Sequence, residues 1–218
     1  RGVTVIPLPG GRGNDLCRCL GIGTDALAHI SKLPQASEIV SSEAGTIDRF
    51  LDVDAMRVAP LAHAGEAQNL EAEGTRSDEA SQVLGLVSFG LDALANQIAN
   101  ESPFSSGTIA YAWGAVCALA KFKPRTMEIE VDGQVRRIRG WLVSVSNSGW
   151  FGGGINIVPT SNPSDGKLEL LTVDPVPKHH AIRVLARVLA TRRVDDPIVH
   201  VETVSRVKIL DSAGLIAM

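Results

Sequence analysis

The six residues from Gly10 to Asp15 have the composition of a loop that holds a phosphate group. Glycines let the backbone adopt positive φ angles and bring N–H groups close to an anion. The apolar run Val3–Ile6 before the loop and the run Leu16–Leu20 after it predict a strand, a turn and a helix. The first amides and the dipole of such a helix favour an anion, and Asp15 can cap the helix or reach a metal ion. The alternative is an ordinary turn between a strand and a helix that binds no ligand.

Two common phosphate loops do not fit this segment. The dinucleotide-binding fingerprint G-x-G-x-x-G, if it began at Gly11, would need a glycine where Leu16 stands. The Walker A loop needs the triplet Gly-Lys-Ser/Thr, which the sequence does not contain. A phosphate loop at this position therefore belongs to another class.

Three later segments also combine turn residues with polar groups. The predicted strand that ends in Ser88–Asp92 places a carboxylate just beyond a glycine. The segment Val145–Gly154 ends in three consecutive glycines, and the segment Pro159–Leu168 contains the turn sequence Asn-Pro-Ser-Asp-Gly. Taken singly, these segments are explained by a cap at a strand end, a tight corner and a turn without a ligand.

In their order along the chain, the four segments resemble the diacylglycerol kinase catalytic family, which also contains bacterial lipid kinases, sphingosine kinases and ceramide kinases. The resemblance covers residues 3–23, 83–100 and 139–173. Gly11–Asp15 is similar to the family's G-T/S-G-N-D loop, and Gly90–Asp92 is similar to its G-F/L-D strand end. Val145–Gly154 is similar to its V-x-N-x-x-x-x-G-G-G segment, and Pro159–Leu168 is similar to its P-x-A-x-P-x-D-G-x-L segment. No motif is highly specific alone, whereas four motifs in the family's order are.

The resemblance implies an α/β nucleotide-binding domain and a β-rich sandwich domain with the active site between them. We therefore predict an α+β chain in which residues 1–55 are the remnant of the α/β domain. Residues 56–218 form the mostly antiparallel β-sandwich domain with helices, and a solvated or disordered loop is expected at about residues 64–81, where apolar residues are few. Antiparallel strands with one wet face fit the alternation around the turn at Asp132–Gly133.

The implied activity is transfer of the γ-phosphate of ATP to a lipid hydroxyl. Such a transfer needs positioning and charge neutralisation more than covalent help from the protein. The resemblance implies that ATP phosphates bind at four loop residues, Gly11, Arg12, Gly13 and Asn14. It places Asp15 and Asp92 around Mg²⁺, an ion that prefers oxygen ligands. It also implies a structural divalent ion held by the Asp165 side chain and the carbonyls of Asn162 and Lys167.

Some family features are missing from the sequence. The family's G-G-D-G-T loop and its D-G-E motif, which carries the general base, do not occur, and Arg12 stands where the family has Thr or Ser. The chain begins at Arg1 without a methionine and ends in an apolar run, so we expect a fragment of a longer protein. This chain alone is expected to be inactive. The alternative is a non-catalytic lipid- or nucleotide-binding domain that kept the sandwich fold.

Composition limits the partners and the compartment. A net charge of −3 argues against nucleic-acid binding, and no apolar run reaches the ~18 residues of a membrane span. Three cysteines make neither a disulfide framework nor a zinc site, which favours a reduced cytoplasm. We expect a lipid substrate and a peripheral location at the inner membrane surface, and a homodimer is a candidate assembly whose formation the sequence does not decide. The basic predicted helix Lys178–Arg193 is a candidate for contact with an anionic membrane, with a solvated helix face as the alternative.

The remaining pattern predicts the order of the elements. A helix is expected over residues 14–33 with a break near Gly21–Gly23, its second part capped by Thr24 or Asp25. An apolar helix is expected from Thr108 to Phe122. The other expected elements are strands at 57–61, 83–90, 141–145, 156–158, 168–173 and 199–210 and a helix that ends near residue 100.

Overall fold

A computed structural model describes residues 5, 7–11, 13–23, 25, 27–28, 51–59, 80–104 and 107–215. The helices with defined bounds are α1 (Asp15–Cys19), α2 (Leu91–Asn100), α3 (Gly107–Lys121) and α4 (Lys178–Thr191). The strands are β1 (Met56–Val58), β2 (Ser81–Val83), β3 (Leu86–Gly90), β4 (Arg125–Val131), β5 (Gln134–Gly140), β6 (Leu142–Ser146), β7 (Trp150–Phe151), β8 (Ile155–Asn156), β9 (Leu168–Val173), β10 (Val199–Val204) and β11 (Val207–Asp211).

Two antiparallel sheets enclose the main core. One sheet has four strands in the order β10-β9-β6-β3, and the other has three in the order β11-β4-β5. Alternate residues of β4 point inward, as the period of two predicts. The core between the sheets contains Met127, Ile129, Val131, Val143, Val145, Leu170 and Val204 from the two sheets, together with Met56 from the separate strand pair β1-β2. This arrangement confirms the predicted fold class, a mostly antiparallel β-sandwich with helices.

The predicted turn at Asp132–Gly133 joins β4 to β5. Both residues have positive φ, 47° and 87°, as a two-residue hairpin turn requires. The Asp132 carboxylate also accepts hydrogen bonds from the backbone amides of Ser205 and Arg206 at 2.8–3.2 Å. One turn residue therefore sets the hairpin and also holds the connection between β10 and β11.

Helices α2 and α3 form a tight pair beside the sandwich. Gly114 of α3 lies so close to α2 that an added Cβ would stand 2.2 Å from the carbonyl oxygen of Ala95. Small residues allow this approach, and the shared interface is built from Ala95, Ala115 and Ala118. Trp113 and Val116 of α3 lie outside this interface and are exposed.

Several predicted boundaries are wrong. The run 83–90 is two strands, because the chain bends at Leu84–Gly85, where the Gly85 carbonyl accepts a hydrogen bond from the Asn147 amide at 2.9 Å. Helix α1 ends at Cys19, short of the predicted break near Gly21–Gly23. The predicted strand at 57–61 is Met56–Val58.

Other expectations are confirmed or fall outside the described residues. The Asp25 carboxylate accepts hydrogen bonds from the amides of Leu27 and Ala28, as predicted for a helix cap. Most of the predicted loop at 64–81 lies outside the described residues, although Ser81 begins β2. The division of the chain at residue 55 stays a prediction. Among the described helices, none is long and apolar enough to cross a bilayer.

Candidate functional site

Three of the four predicted motif segments meet at one cavity of about 250 Å³. The glycine-rich loop, the start of α2 and the triple-glycine turn all contribute, together with the cavity-facing sides of α2 and α3. The lining residues are Gly13, Asp15, Leu86, Asp92, Asn96, Ala99, Asn100, Ala110, Tyr111, Gly152 and Gly153. The structure thus brings together the two predicted catalytic residues, Asp15 and Asp92.

Asp15 fastens the glycine-rich loop to the triple-glycine turn. Its two carboxylate oxygens accept hydrogen bonds from the backbone amides of Gly153, at 3.0 Å, and Gly154, at 2.8 Å. The backbones are in close contact, because an added Cβ on Gly13 would stand 3.4 Å from the Cα of Gly153. The two hydrogen bonds and this backbone contact join segments far apart in sequence into one wall of the cavity.

Side chains of the predicted phosphate loop and of α1 form hydrogen bonds to the backbone of the loop. Asn14 adopts a left-handed conformation with φ of 55°, and its Oδ1 accepts a hydrogen bond from the Gly11 amide at 2.8 Å. Arg18 donates from Nε to the Gly13 carbonyl at 3.3 Å. Because α1 has five residues, its dipole adds little to anion binding. Arg12 lies outside the described residues.

Asp92 is positioned by the turn from β3 into α2. Gly90 has a φ of 96°, and a Cβ there would stand 2.6 Å from the Trp141 carbonyl oxygen, so glycine is needed at this point. The Leu91 amide donates to the same carbonyl at 2.8 Å, which fixes the start of the helix. The next residue, Asp92, therefore presents its carboxylate to the cavity.

Tyr111 of α3 links Asp92 to the triple-glycine turn, and motif reasoning missed it. Its hydroxyl donates a hydrogen bond to the Asp92 carboxylate. Its ring covers Gly152, where φ is 54° and an added Cβ would stand 2.4 Å from a ring carbon. The available signal was weak: Tyr111 is the single tyrosine of the chain, in a helix otherwise rich in alanine.

The electrostatics of the cavity disfavour an unpaired charge on Asp92. Burial raises the pKa of Asp92, the hydrogen bond from the Tyr111 hydroxyl lowers it, and the negative charge of Asp15 raises it. Burial and the Asp92 charge also raise the pKa of the Tyr111 hydroxyl well above its usual value. A cation in the cavity would relieve both the burial of the Asp92 charge and its repulsion by Asp15.

The two carboxylates fit Mg²⁺ better than a closed metal centre. Within the described ranges, no three His, Cys, Asp or Glu residues are placed to hold a metal ion together. Magnesium usually keeps several water ligands and takes one or two carboxylates, which the side chains of Asp15 and Asp92 could supply. Asp15 would have to use its remaining lone pairs, since each of its oxygens already accepts an amide hydrogen bond.

The predicted ion-binding turn around Asp165 lies apart from the cavity lining. The Asp165 carboxylate accepts a hydrogen bond from the Lys167 amide at 2.9 Å, and Asn162 Oδ1 accepts one from the Ser164 amide at 3.1 Å. The turn also docks on Asp52–Asp54, where the Asp54 amide donates to the Pro163 carbonyl at 2.7 Å. Protein hydrogen bonds thus hold this turn, and its structural divalent ion stays a prediction.

Comparisons with known proteins agree with this architecture. Residues 85–218, more than half of the chain, match the family described as the YegS C-terminal NAD kinase beta sandwich-like domain.

A Bacillus subtilis (strain 168) protein named "Putative lipid kinase YtlR" is 27% identical over 99 residues, covering 42% of this chain and 32% of that protein. The crystal structure of "a putative diacylglycerol kinase" from Bacillus anthracis str. Sterne is similar with a TM-score of 0.52 at 19% identity, over 92% of this chain and 56% of that one. This chain therefore spans about half the length of the solved relative. The resemblance to the lipid kinases is confirmed at the level of family and fold, and the chain belongs to the YegS C-terminal NAD kinase beta sandwich-like domain family.

Proposed function

We propose that this chain is part of a lipid kinase that transfers the γ-phosphate of ATP to a lipid hydroxyl. One observation carries the proposal: Asp15, Asp92 and the triple-glycine turn, which are distant in sequence, line a single cavity. Phosphoryl transfer needs this combination of carboxylates for a metal ion and close-approaching backbone for phosphate. The lipid-kinase name of a relative that matches part of the chain supports the same activity.

In this proposal each group has a physical task. Mg²⁺, when bound, neutralises charge on the phosphates of ATP. Asp15 and Asp92 hold the ion, and the Tyr111 hydroxyl keeps the Asp92 carboxylate directed into the cavity. Gly13 and the glycine turn carry no side chains, which leaves room beside the backbone for phosphate oxygens. ATP and Mg²⁺ are the cofactors and a lipid hydroxyl at a membrane surface is the acceptor in this account.

The general base is not among these groups. In the resembling family it lies in a D-G-E motif, which does not occur in these 218 residues. We therefore expect the 218-residue chain alone to give no turnover, whereas the protein as its gene encodes it transfers phosphate.

A non-catalytic binding domain is the second candidate function. It is favoured by the internal pairing of the site: both Asp15 oxygens and the Gly11 amide already have hydrogen-bond partners within the chain. A domain of this kind would bind a nucleotide or lipid without transferring phosphate.

Phosphate transfer by the protein as its gene encodes it tests the proposal. It is incubated with γ-labelled ATP, Mg²⁺ and separate vesicles that contain diacylglycerol, sphingosine or ceramide. We expect label in at least one lipid, and a loss of about a hundredfold or more in Asp92→Asn. Asp174→Asn is the matched control, because Asp174 is exposed and pairs with His200 on the four-stranded sheet.

The outcomes separate the two candidate functions. Label transfer that depends on Asp92 but not on Asp174 supports the kinase. Binding of nucleotide or lipid without transfer supports the binding domain. Full activity in Asp92→Asn would show that the cavity is not the site of transfer.

A further inference from the structure

Helix α3 turns large apolar side chains outward on one face. Ile109, Trp113 and Val116 are 54%, 50% and 53% exposed, while Ala115 and Ala118 face the helix pair and Ala110 faces the cavity. Spacings of four and three residues place these three side chains, here called the apolar stripe, next to each other on the helix surface. Other exposed apolar residues, such as Val135 and Val201, stand singly on strands. A continuous exposed apolar surface commonly marks an interaction site.

An aromatic contact extends the apolar stripe. The Phe104 ring meets the Trp113 ring edge to face, with the ring centres 6.1 Å apart and the planes at 68°. Phe104 is itself 37% exposed. Half-exposed tryptophan beside other apolar residues is typical of surfaces that enter the interface of a bilayer.

The end of α3 is positively charged. No acidic residue occurs between Gly107 and Arg125, and Lys121, Lys123 and Arg125 follow one another with exposed side chains. These three cations line a second cavity, of about 360 Å³, whose apolar lining includes Leu94, Phe122 and Leu215. In a chain with a net charge of −3, this local excess of cations is complementary to anionic lipid head groups.

The helix with the apolar stripe is also a wall of the candidate site. Ala110 and Tyr111, next to Ile109 in sequence, line the cavity that contains Asp92. A bilayer held at the apolar stripe would therefore contact the outer face of a helix whose other face lines the proposed site of transfer. The basic helix α4 is less suited to this task, because His180 and Arg187 face Asp196 at 3.7 Å and 3.6 Å.

We propose that the apolar stripe and the cations at the end of α3 bind an anionic lipid bilayer. The apolar side chains enter the interface between head groups and acyl chains, and Lys121 and Lys123 contact the head groups. The proposal rests on the proposed function for the identity of the partner, a lipid surface. The binding itself needs neither ATP nor phosphate transfer.

Vesicle binding tests the proposal without a kinase assay. Co-sedimentation is measured with phosphatidylcholine vesicles that contain or lack phosphatidylglycerol. The double variant Trp113→Ser with Val116→Ser is expected to lose at least about tenfold in vesicle affinity. The reason is that two large apolar side chains are no longer transferred from water into the bilayer. The double variant Val135→Ser with Val201→Ser is the matched control and binds like the natural sequence. Lys121→Glu with Lys123→Glu removes the preference for phosphatidylglycerol.

A second measurement does not depend on how well the serine variants fold. Brominated lipids quench tryptophan fluorescence at short range, and Trp141, unlike Trp113, is buried. Quenching in the natural sequence that disappears in Trp113→Phe places this ring in the bilayer. Asp92→Asn is expected to keep full vesicle binding, so a failure of the kinase proposal would be seen separately.

Three results would overturn the inference. The first is no binding to either vesicle, and the second is equal binding by the serine variant of the apolar stripe and the natural sequence. The third is a dimer that this variant dissociates while vesicle binding stays unchanged, which would make the apolar stripe a contact between two copies of the chain.

Discussion

Replacing Asp15 by alanine should separate the glycine-rich loop from the triple-glycine turn. The carboxylate accepts two hydrogen bonds, from the amides of Gly153 and Gly154, across a large sequence separation. A hydrogen bond to a charged acceptor contributes about 1.5–3 kcal/mol. Water can reach the partly buried amides after the substitution, so we expect a loss of about 2–3 kcal/mol in the free energy of unfolding rather than the full sum. For a domain of this size that corresponds to a fall in Tm of about 5–10 °C.

Asp25→Ala is the matched control for this prediction. The Asp25 carboxylate also accepts two amide hydrogen bonds, but from Leu27 and Ala28 in an exposed local turn. Losing a cap of this kind costs about 1 kcal/mol. Urea unfolding gives the free energies, and amide hydrogen exchange shows whether Gly153 and Gly154 lose protection in Asp15→Ala alone. Equal losses in both variants, or unchanged exchange at the two glycines, would refute the reasoning.

Three further substitutions test the packing and the charges around the site. Gly114→Ala should cost about 1–3 kcal/mol in urea unfolding, because its Cβ would meet the Ala95 carbonyl at 2.2 Å, while Gly85→Ala, with open space around it, should be nearly neutral. Equal effects would contradict the close approach of α2 and α3. Tyr111→Phe should cost about 1–2 kcal/mol by the same measurement, since the Asp92 carboxylate loses a donor in a confined site; an unchanged free energy would mean that water replaces the hydroxyl. Asp92→Asn should gain stability relative to the natural sequence as pH rises. Because the pKa of Asp92 is raised in the folded state, the folded protein keeps the Asp92 proton up to a higher pH than the unfolded chain does. The resulting stabilisation of the natural sequence is present below the unfolded pKa and is lost as pH rises through the folded pKa. Thermal unfolding from about pH 4 to about pH 8 checks it, and a difference that does not vary with pH would contradict it.

Local chemistry in the sequence singled out three segments that line the cavity, and the family resemblance grouped them into one site. Asp-Gly predicted the turn at residues 132–133 because few other pairs accept two positive φ angles. Gly90 and Asp92 were found in the same way, since a glycine at a strand end allows the close contact with the Trp141 carbonyl. These features depend on backbone conformation, which neighbouring residues in the sequence largely determine.

Contacts between distant segments were not available from local chemistry. Asp15 was expected to face a metal ion, and its bonds to Gly153 and Gly154 depend on how the chain folds back. Which side of α3 is exposed could not be predicted either, because periodicity identifies an apolar face but not the neighbour that covers it. Gly114 permits so close a contact that small residues make the interface and Trp113 is left outside.

The measurement that tests the central claim most directly is an amide NMR titration of the isotope-labelled chain with Mg²⁺ and a non-hydrolysable ATP analogue. The account predicts saturable shifts at residues that line the 250 Å³ cavity, among them Gly13, Asp92 and Gly153. The same shifts should be absent in Asp92→Asn and retained in Asp174→Asn. Shifts confined to the turn around Asp165, or shifts that Asp92→Asn leaves unchanged, would contradict the claim that this cavity binds the phosphates and the ion.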